Sequence, residues 1–251
     1  MNALITATAA RPACAAAPSA AAAAALDSAQ LQCELDRTGA VVVPGLLSGA
    51  QCLQLRSSYA REELFRSRIV MQRHGFGRGE YQYFRYPLPS LIERLRTLLY
   101  VPLAEIANRW SAALGSEVRY PETHGEFLER CHAAGQRRPT PLLLRYGPGD
   151  YNCLHQDLYG EHVFPLQATV LLSAPHEEFE GGEFALTEQR PRAQSRVEVV
   201  SLRQGDAVIF PVHHRPVKGT RGLHRVNMRH GVSRLRDGER FTLGIVFHDA
   251  T

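Results

Sequence analysis

Beyond Pro141 the chain stops supporting helices. Leu142 to Tyr146, His162 to Ser173, Gly182 to Thr187, Val197 to Leu202, Ala207 to Phe210, Arg229 to Leu235 and Arg240 to Phe247 are short apolar or alternating runs, separated by Gly, Pro or Asp. Strands of that length and spacing build a sandwich or barrel. The half before them is mostly helical. One helix runs through Leu31 and Leu35 to Gly39, a residue suited to a left-handed cap. Another starts at Ser48, with Gln51 completing a capping box, and runs to about Phe65. Periodicity returns from Ser90 to about Leu114, and again from Glu122 to Ala134 near Gly135. Ala40 to Val43 reads as a short strand, and Ile69 to Met71 is strand-like. His74 to Tyr86 (HGFGRGEYQYFRY) is too glycine-rich for a core element and reads as a long loop that selects substrate or caps a site. The expectation is one domain over 28–251, mainly β with flanking helices: helical support over 28–135 and a β core over 140–250.

Residues 1–27 stand apart. Ala13 to Leu26 is apolar and alanine-dominated, interrupted by Pro18, and has no basic stretch before it. It is too short to span a bilayer and unlike a secretory signal, so a disordered tail is expected there. Composition excludes little else. Basic minus acidic residues is 29 − 25 = +4, too small to argue for nucleic acid or an anionic membrane. Lys218 is the one lysine, so 28 of the 29 basic residues are arginine. The 5 cysteines form no C-x-x-C pair and are odd in number, which fits a reducing, cytoplasmic setting rather than a disulfide scaffold.

The chemistry sits among the 11 histidines. A non-heme iron site needs two imidazoles and one carboxylate on one face of the metal. On a strand, side chains at i and i+2 share a face, so His-x-Asp supplies half of such a set. His155-Gln-Asp157 has that geometry. His124-Gly-Glu126 opens a helix, and His176-Glu-Glu178 lies in an acidic turn. A hairpin is expected to supply the rest: Arg229 to Leu235, an Asp-Gly turn, then Arg240 to Phe247. His230 on its first strand is the third donor, with His224 as the rival. Arg240, with Thr242 two residues on, offers a guanidinium fork and a hydroxyl for a carboxylate. A metal triad beside a buried arginine is what an α-keto dicarboxylic acid requires.

Leu143-Leu-Arg-Tyr-Gly-Pro-Gly-Asp150, His155-Gln-Asp157, Phe179-Glu-Gly-Gly-Glu-Phe184, Gly205-Asp-Ala-Val-Ile-Phe210, and His230 with Arg240 occur in an order that resembles the iron(II)- and 2-oxoglutarate-dependent dioxygenases. The prolyl-hydroxylase-like branch is the most similar in flavour. The resemblance implies a double-stranded β-helix (jelly-roll) core. It implies His155, Asp157 and His230 as metal and catalytic residues, with 2-oxoglutarate held by Arg240, Thr242 and Tyr146. Fe(2+), 2-oxoglutarate and O2 would hydroxylate a C–H bond of a peptide or protein side chain or a small metabolite, releasing succinate and CO2. The nucleic-acid-demethylating branch is the competitor. It has an asparagine where this chain has Leu144 and a second arginine where it has Val246, so nucleic acid ranks behind peptide or metabolite, and no membrane partner is expected. A non-catalytic jelly-roll sensor of metal or 2-oxoglutarate is the remaining alternative.

Overall fold

In the computed structural model, which describes residues 26–220 and 222–251, the helices are α1 (Ser28–Thr38), α2 (Gly49–Ser57), α3 (Ser90–Ala113) and α4 (His124–Ala133). The strands are β1 (Val41–Val43), β2 (Phe65–Val70), β3 (Gly77–Arg78), β4 (Glu80–Phe84), β5 (Leu142–Tyr146), β6 (Tyr151–His155), β7 (Leu166–Leu171) and β8 (Phe179–Gly181). They continue with β9 (Phe184–Gln189), β10 (Arg196–Val200), β11 (Ala207–Pro211), β12 (His214–Gly219), β13 (Gly222–Val232), β14 (Leu235–Gly238) and β15 (Arg240–Val246). The expected alanine-rich tail lies outside the described residues except for its last two. The larger sheet has the order β1-β11-β7-β15-β5-β4-β2. The smaller has the order β10-β9-β13-β6-β3, with β12 on β13. Two antiparallel sheets face to face with helices outside make a jelly roll.

Alternation along the strands stacks these layers. On β15, Phe241, Leu243 and Ile245 join Leu31, Leu91, Leu95 and Leu99 of the helices in one core. Arg240, Thr242, Gly244 and Val246 face the other way, into a cavity between the sheets. Ile209 on β11 goes with the helices, while Val208 and Phe210 go inward. The helix signals act as their chemistry requires: Gly39 caps α1 at φ 84, and Ser48 and Gln51 form a reciprocal capping box.

Three sequence expectations need correction. The helix from Ser48 ends at Ser57. Two 3-10 turns follow, and Phe65 opens β2 instead of closing a helix. The supposed loop from His74 to Tyr86 holds β3 and β4, and β4 is an inner strand between β2 and β5 with Gln82, Tyr83 and Phe84 buried. Glu-Tyr-Gln-Tyr-Phe alternates as a strand should, but the glycines before it mask the period. The expected hairpin between the segments around His230 and Arg240 does not form. β13 belongs to the smaller sheet and β15 to the larger, and β14 between them pairs with β8. The Asp-Gly pair serves that crossing: Gly238 has φ 79, and a Cβ there would lie 2.0 Å from the Glu178 carbonyl oxygen.

A buried ion network ties the end of β15 to the helices. Arg96 of α3 donates to the carbonyls of Val246 and Phe247 and, at 2.8 Å, to Asp249 Oδ1. Tyr86 Oη and His132 Nε2 donate to Asp249 Oδ2 at 2.8 Å each. Burial opposes ionisation of Asp249, but Arg96 and these hydrogen bonds outweigh it and hold the carboxyl below its usual range. The stabilisation is therefore complete above the unfolded pKa, near about 4. It is lost as pH falls through the lower folded-state value. Arg96→Met should cost about 3–5 kcal/mol by stranding a buried carboxylate, read as a lower unfolding temperature near neutral pH. Asp249→Asn should flatten the acid limb of the stability curve, and an unchanged limb would assign the acid sensitivity elsewhere.

Candidate active site

The smaller sheet brings the histidines together. His230 and His155 are register partners across β13 and β6, and their rings lie 4.1 Å apart between centroids. Asp157 follows two residues after His155, just beyond the end of β6. Its Oδ1 is 3.7 Å from His155 Nε2 and its Oδ2 is 3.4 Å from His230 Nε2. One donor atom from each of the three lies within 4.8 Å of the others. No other group of His, Cys, Asp or Glu among the described residues does this. His224 is on the same strand, six residues earlier, with its ring against Gly219 in the β12–β13 hairpin and away from the cluster.

The protonation states suit a divalent cation. His155 Nδ1 lies 2.8 Å from the Cys153 carbonyl, which can only accept, so Nδ1 carries a proton and Nε2 is the nitrogen turned toward Asp157. Burial, then the neighbouring His155, push His230 down to about 3, so this imidazole is neutral at ordinary pH. Burial resists charge on Asp157, but His230, His155 and hydrogen bonds from Tyr159 and Gln167 hold its carboxyl below the usual range. Two imidazoles and one carboxylate fit iron, manganese or cobalt. His124 and His176 are not part of the cluster. His124 is buried at the start of α4 with Nε2 against the Phe247 carbonyl, and His176 pairs with Glu180 at the surface.

Arg240, Thr242 and Tyr146 line the same cavity of about 360 Å³ from the opposite sheet. Arg240 is 2% exposed. Its Nε and Nη1 are buried without a hydrogen-bond partner, and among the described residues no carboxylate lies within ion-pairing distance of it. Burial lowers its pKa to about 10, leaving it charged at neutral pH. The neighbouring Glu183 is engaged by Ser233 and Arg236. Tyr146 is fully buried beside Arg240, and its hydroxyl makes no hydrogen bond of ordinary geometry. Buried polar groups without partners are rare because each costs desolvation energy, so these atoms mark a place for an anion. The glycines of Phe179-Glu-Gly-Gly-Glu-Phe184 make room for it: a Cβ on Gly182 would lie 2.8 Å from Arg240 Cδ.

Tyr159 and Gln167 escaped the sequence reading, whereas Tyr81 and Tyr83 belong to the segment expected to select substrate. Tyr159 Oη donates to Asp157 Oδ1 at 2.6 Å, and Tyr83 Oη lies 3.1 Å from Tyr159 Oη. Tyr81 meets Tyr83 edge-on at 5.3 Å. Gln167 Nε2 is 3.5 Å from His230 Nδ1. Tyr159 was within reach of the sequence, two residues after Asp157. Tyr81 and Tyr83 lie in the segment expected to be a loop, and they form a fixed cavity wall on β4. Phe76, half exposed, stands at the mouth.

A family model described as "Oxygenase, catalysing oxidative methylation of damaged DNA" (Oxygenase-NA) matches residues 79–250. Two Mycobacterium tuberculosis proteins, Rv2227 and MT2286, both named only as uncharacterized, are 51% identical over 167 residues, covering 66% of this chain and 72% of theirs. Among solved structures, a Pseudomonas putida prolyl-4-hydroxylase is similar with a TM-score of 0.50 and 14% identity, over 86% of this chain and 96% of that one. SnoN, a non-heme alpha ketoglutarate dependent epimerase from nogalamycin biosynthesis, is similar with a TM-score of 0.51 and 18% identity, over 88% and 81%. At such identities the structural likeness speaks to the fold.

Proposed function

The chain belongs to the Oxygenase-NA family and is a 2-oxoglutarate-dependent oxygenase on a prolyl-hydroxylase-like jelly roll, and from that premise we propose that it oxidises an alkyl group on a base of damaged nucleic acid. The observation that carries the cosubstrate is Arg240: a buried, charged fork with no anion of its own, across the cavity from a His-Asp-His cluster. What moves the substrate from peptide or metabolite to nucleic acid is the family's description, together with a cavity walled by Tyr81, Tyr83 and Tyr159. Aromatic walls suit a planar base taken out of its stack. Leu144 and Val246, where the demethylating branch carries polar groups, add apolar surface to this wall.

His155 Nε2, Asp157 and His230 Nε2 are the residues that would hold Fe(II), and Arg240 with the Thr242 hydroxyl would take the far carboxylate of 2-oxoglutarate. Bound there, the two would supply the oxidation: O2 is split, one oxygen entering succinate as 2-oxoglutarate loses CO2, the other entering a substrate C–H bond. The protein's share is placement. Tyr159 donates to Asp157 Oδ1 and so fixes the carboxylate plane. Cys153 fixes the tautomer of His155. Tyr146 can donate its hydroxyl to an anion beside Arg240. Phe184, Leu144 and Val246 keep water away from the pairing.

Anaerobic addition of Fe(II) and 2-oxoglutarate should produce a weak visible charge-transfer band. Admitting O2 with single-stranded DNA carrying N-methylated bases should then release succinate and formaldehyde in equal amounts, because a hydroxylated N-methyl group breaks down to formaldehyde. Succinate unaffected by any methylated oligonucleotide, with no formaldehyde, would remove the nucleic-acid substrate and leave the oxygenase. Absence of the band would remove the cosubstrate.

A further inference from the structure

Many arginines of this chain pair with a carboxylate within the fold, as Arg68 does with Glu80, Arg145 with Glu239, and Arg215 with Glu188. Four that lie close together do not. Arg66, Arg85, Arg137 and Arg138, with Tyr86, line an open groove of about 410 Å³ at the β2 edge of the larger sheet. None of the four is ion-paired among the described residues. Arg66 Nε donates to the Pro139 carbonyl and Arg137 Nε to the His132 carbonyl; these contacts position the guanidinium groups without neutralising them. Asp249, the carboxylate felt by Arg66, is already taken up by Arg96, His132 and Tyr86.

The backbone aims one of these arginines at the active cavity. Phe65 pairs with Phe84 and Ser67 with Tyr83, so Arg66 is the extra residue of a β-bulge on an edge strand. Bulges re-aim side chains and are common beside active sites. Here the bulge lays the Arg66 guanidinium over the Tyr83 ring, 4.4 Å from its centroid. The other contacts of Tyr83 belong to the cavity: its hydroxyl meets Tyr159, which holds Asp157. One side chain therefore separates the arginine groove from the place where a C–H bond would be oxidised. In a nucleotide, the base and its phosphate are likewise one sugar apart.

We propose that the groove of Arg66, Arg85, Arg137 and Arg138 binds the phosphodiester backbone of a single-stranded nucleic acid, with Arg66 on Tyr83 holding the phosphate of the nucleotide whose base enters the cavity. This rests on the nucleic-acid reading above and adds where the strand runs. Arginine forks suit phosphate. Arg66, clamped on a ring at the cavity wall, is the arginine that sets register; Arg85, Arg137 and Arg138 supply field along the strand.

The test measures binding of fluorescein-labelled single-stranded DNA to the full chain, with and without N-methylated bases, across a range of salt. Arg66→Gln with Arg138→Gln should weaken binding at least about 10-fold. It should also lower the log–log salt slope by about 1.4, since each phosphate contact on a single strand contributes about 0.7. Arg94→Gln with Arg109→Gln, on the exposed face of α3, should leave affinity, slope and succinate formation as in the parent. Equal losses in both double variants, or none in the first, would overturn the groove while leaving the substrate intact. No DNA binding by the parent chain at low salt would overturn both. Displacement of DNA by polyglutamate at equal charge concentration would also overturn the proposal, by making the groove a site for acidic peptides. Unfolding temperatures of both variants check that the bulge survives.

Discussion

Asp157→Ala is expected to abolish Fe(II) binding and with it all 2-oxoglutarate-dependent succinate formation, and His155→Ala should do the same. Asp157 is the only carboxylate among the clustered donors, with one oxygen toward each imidazole. Its removal leaves two imidazoles and no negative charge to offset a divalent cation. Losing groups that merely orient metal ligands costs about 10–100-fold; loss of a donor should exceed the upper end of that range. The fold should tolerate the change, because Asp157 lies beyond the end of β6 and the sheet pairing there runs through backbone groups. Titration of each variant with Fe(II) without O2, then a succinate assay, separates failed metal binding from failed turnover. His224→Ala is the comparison, being a histidine of β13, the strand of His230, outside the cluster, and should bind iron as the parent does. Ordinary turnover in either donor variant would end the assignment of the triad.

How these residues come to meet was only partly legible beforehand. His155 and Asp157 follow from strand periodicity, a local rule. His230 does reach them, but not through the hairpin that the Asp-Gly pair suggests. It reaches them because β13 pairs with β6, a contact between segments some 75 residues apart (230 − 155) that no local pattern encodes. Arg240 faces the cluster from the other sheet for the same reason: β14 carries the chain across to β8 before β15 enters the larger sheet. Turn chemistry showed that the chain bends at Gly238; it could not say which strand would be met afterwards. The segment from His74 to Tyr86 failed differently. Its glycines at 77 and 79 permit close approaches, and a Cβ on Gly77 would lie 2.3 Å from the Tyr151 carbonyl oxygen, while Gly75 ends a 3-10 turn at φ 70. Glycine there signals tight packing of β3 on β6, and read alone it resembles a loop. Tyr81 and Tyr83, expected on a loop that selects substrate, stand on the cavity wall because β4 is a strand. The arginine groove was beyond sequence reading altogether, since it gathers β2, the residues after β4 and those after α4.

Arg240→Met should separate function from stability, moving them in opposite directions. In the parent chain the guanidinium is buried with two nitrogens unpaired and no carboxylate beside it, an arrangement that costs desolvation energy in the free protein. Methionine fills similar space without the charge, against Tyr146 and Phe179, which flank the fork. Replacing such a buried charge with an apolar side chain is neutral to stabilising by about 1–4 kcal/mol, so the variant should unfold at an equal or higher temperature when no 2-oxoglutarate is present. Adding 2-oxoglutarate should reverse the order. A charged group whose partner is removed from a desolvated pair costs about 2–5 kcal/mol, which weakens cosubstrate binding by roughly 30- to 5,000-fold. The parent chain then gains stability with ligand concentration, and the variant gains almost none. Arg240→Lys should fall between, keeping the charge but losing the fork that grips both carboxylate oxygens. Fe(II) binding should persist in both variants, because the donors lie on the opposite sheet. A variant that melts earlier without ligand would make Arg240 a structural residue, and one that still gains stability from 2-oxoglutarate would move the carboxylate site elsewhere in the cavity. The crossing of the two melting curves is the signature of a charge kept for its ligand at the fold's expense.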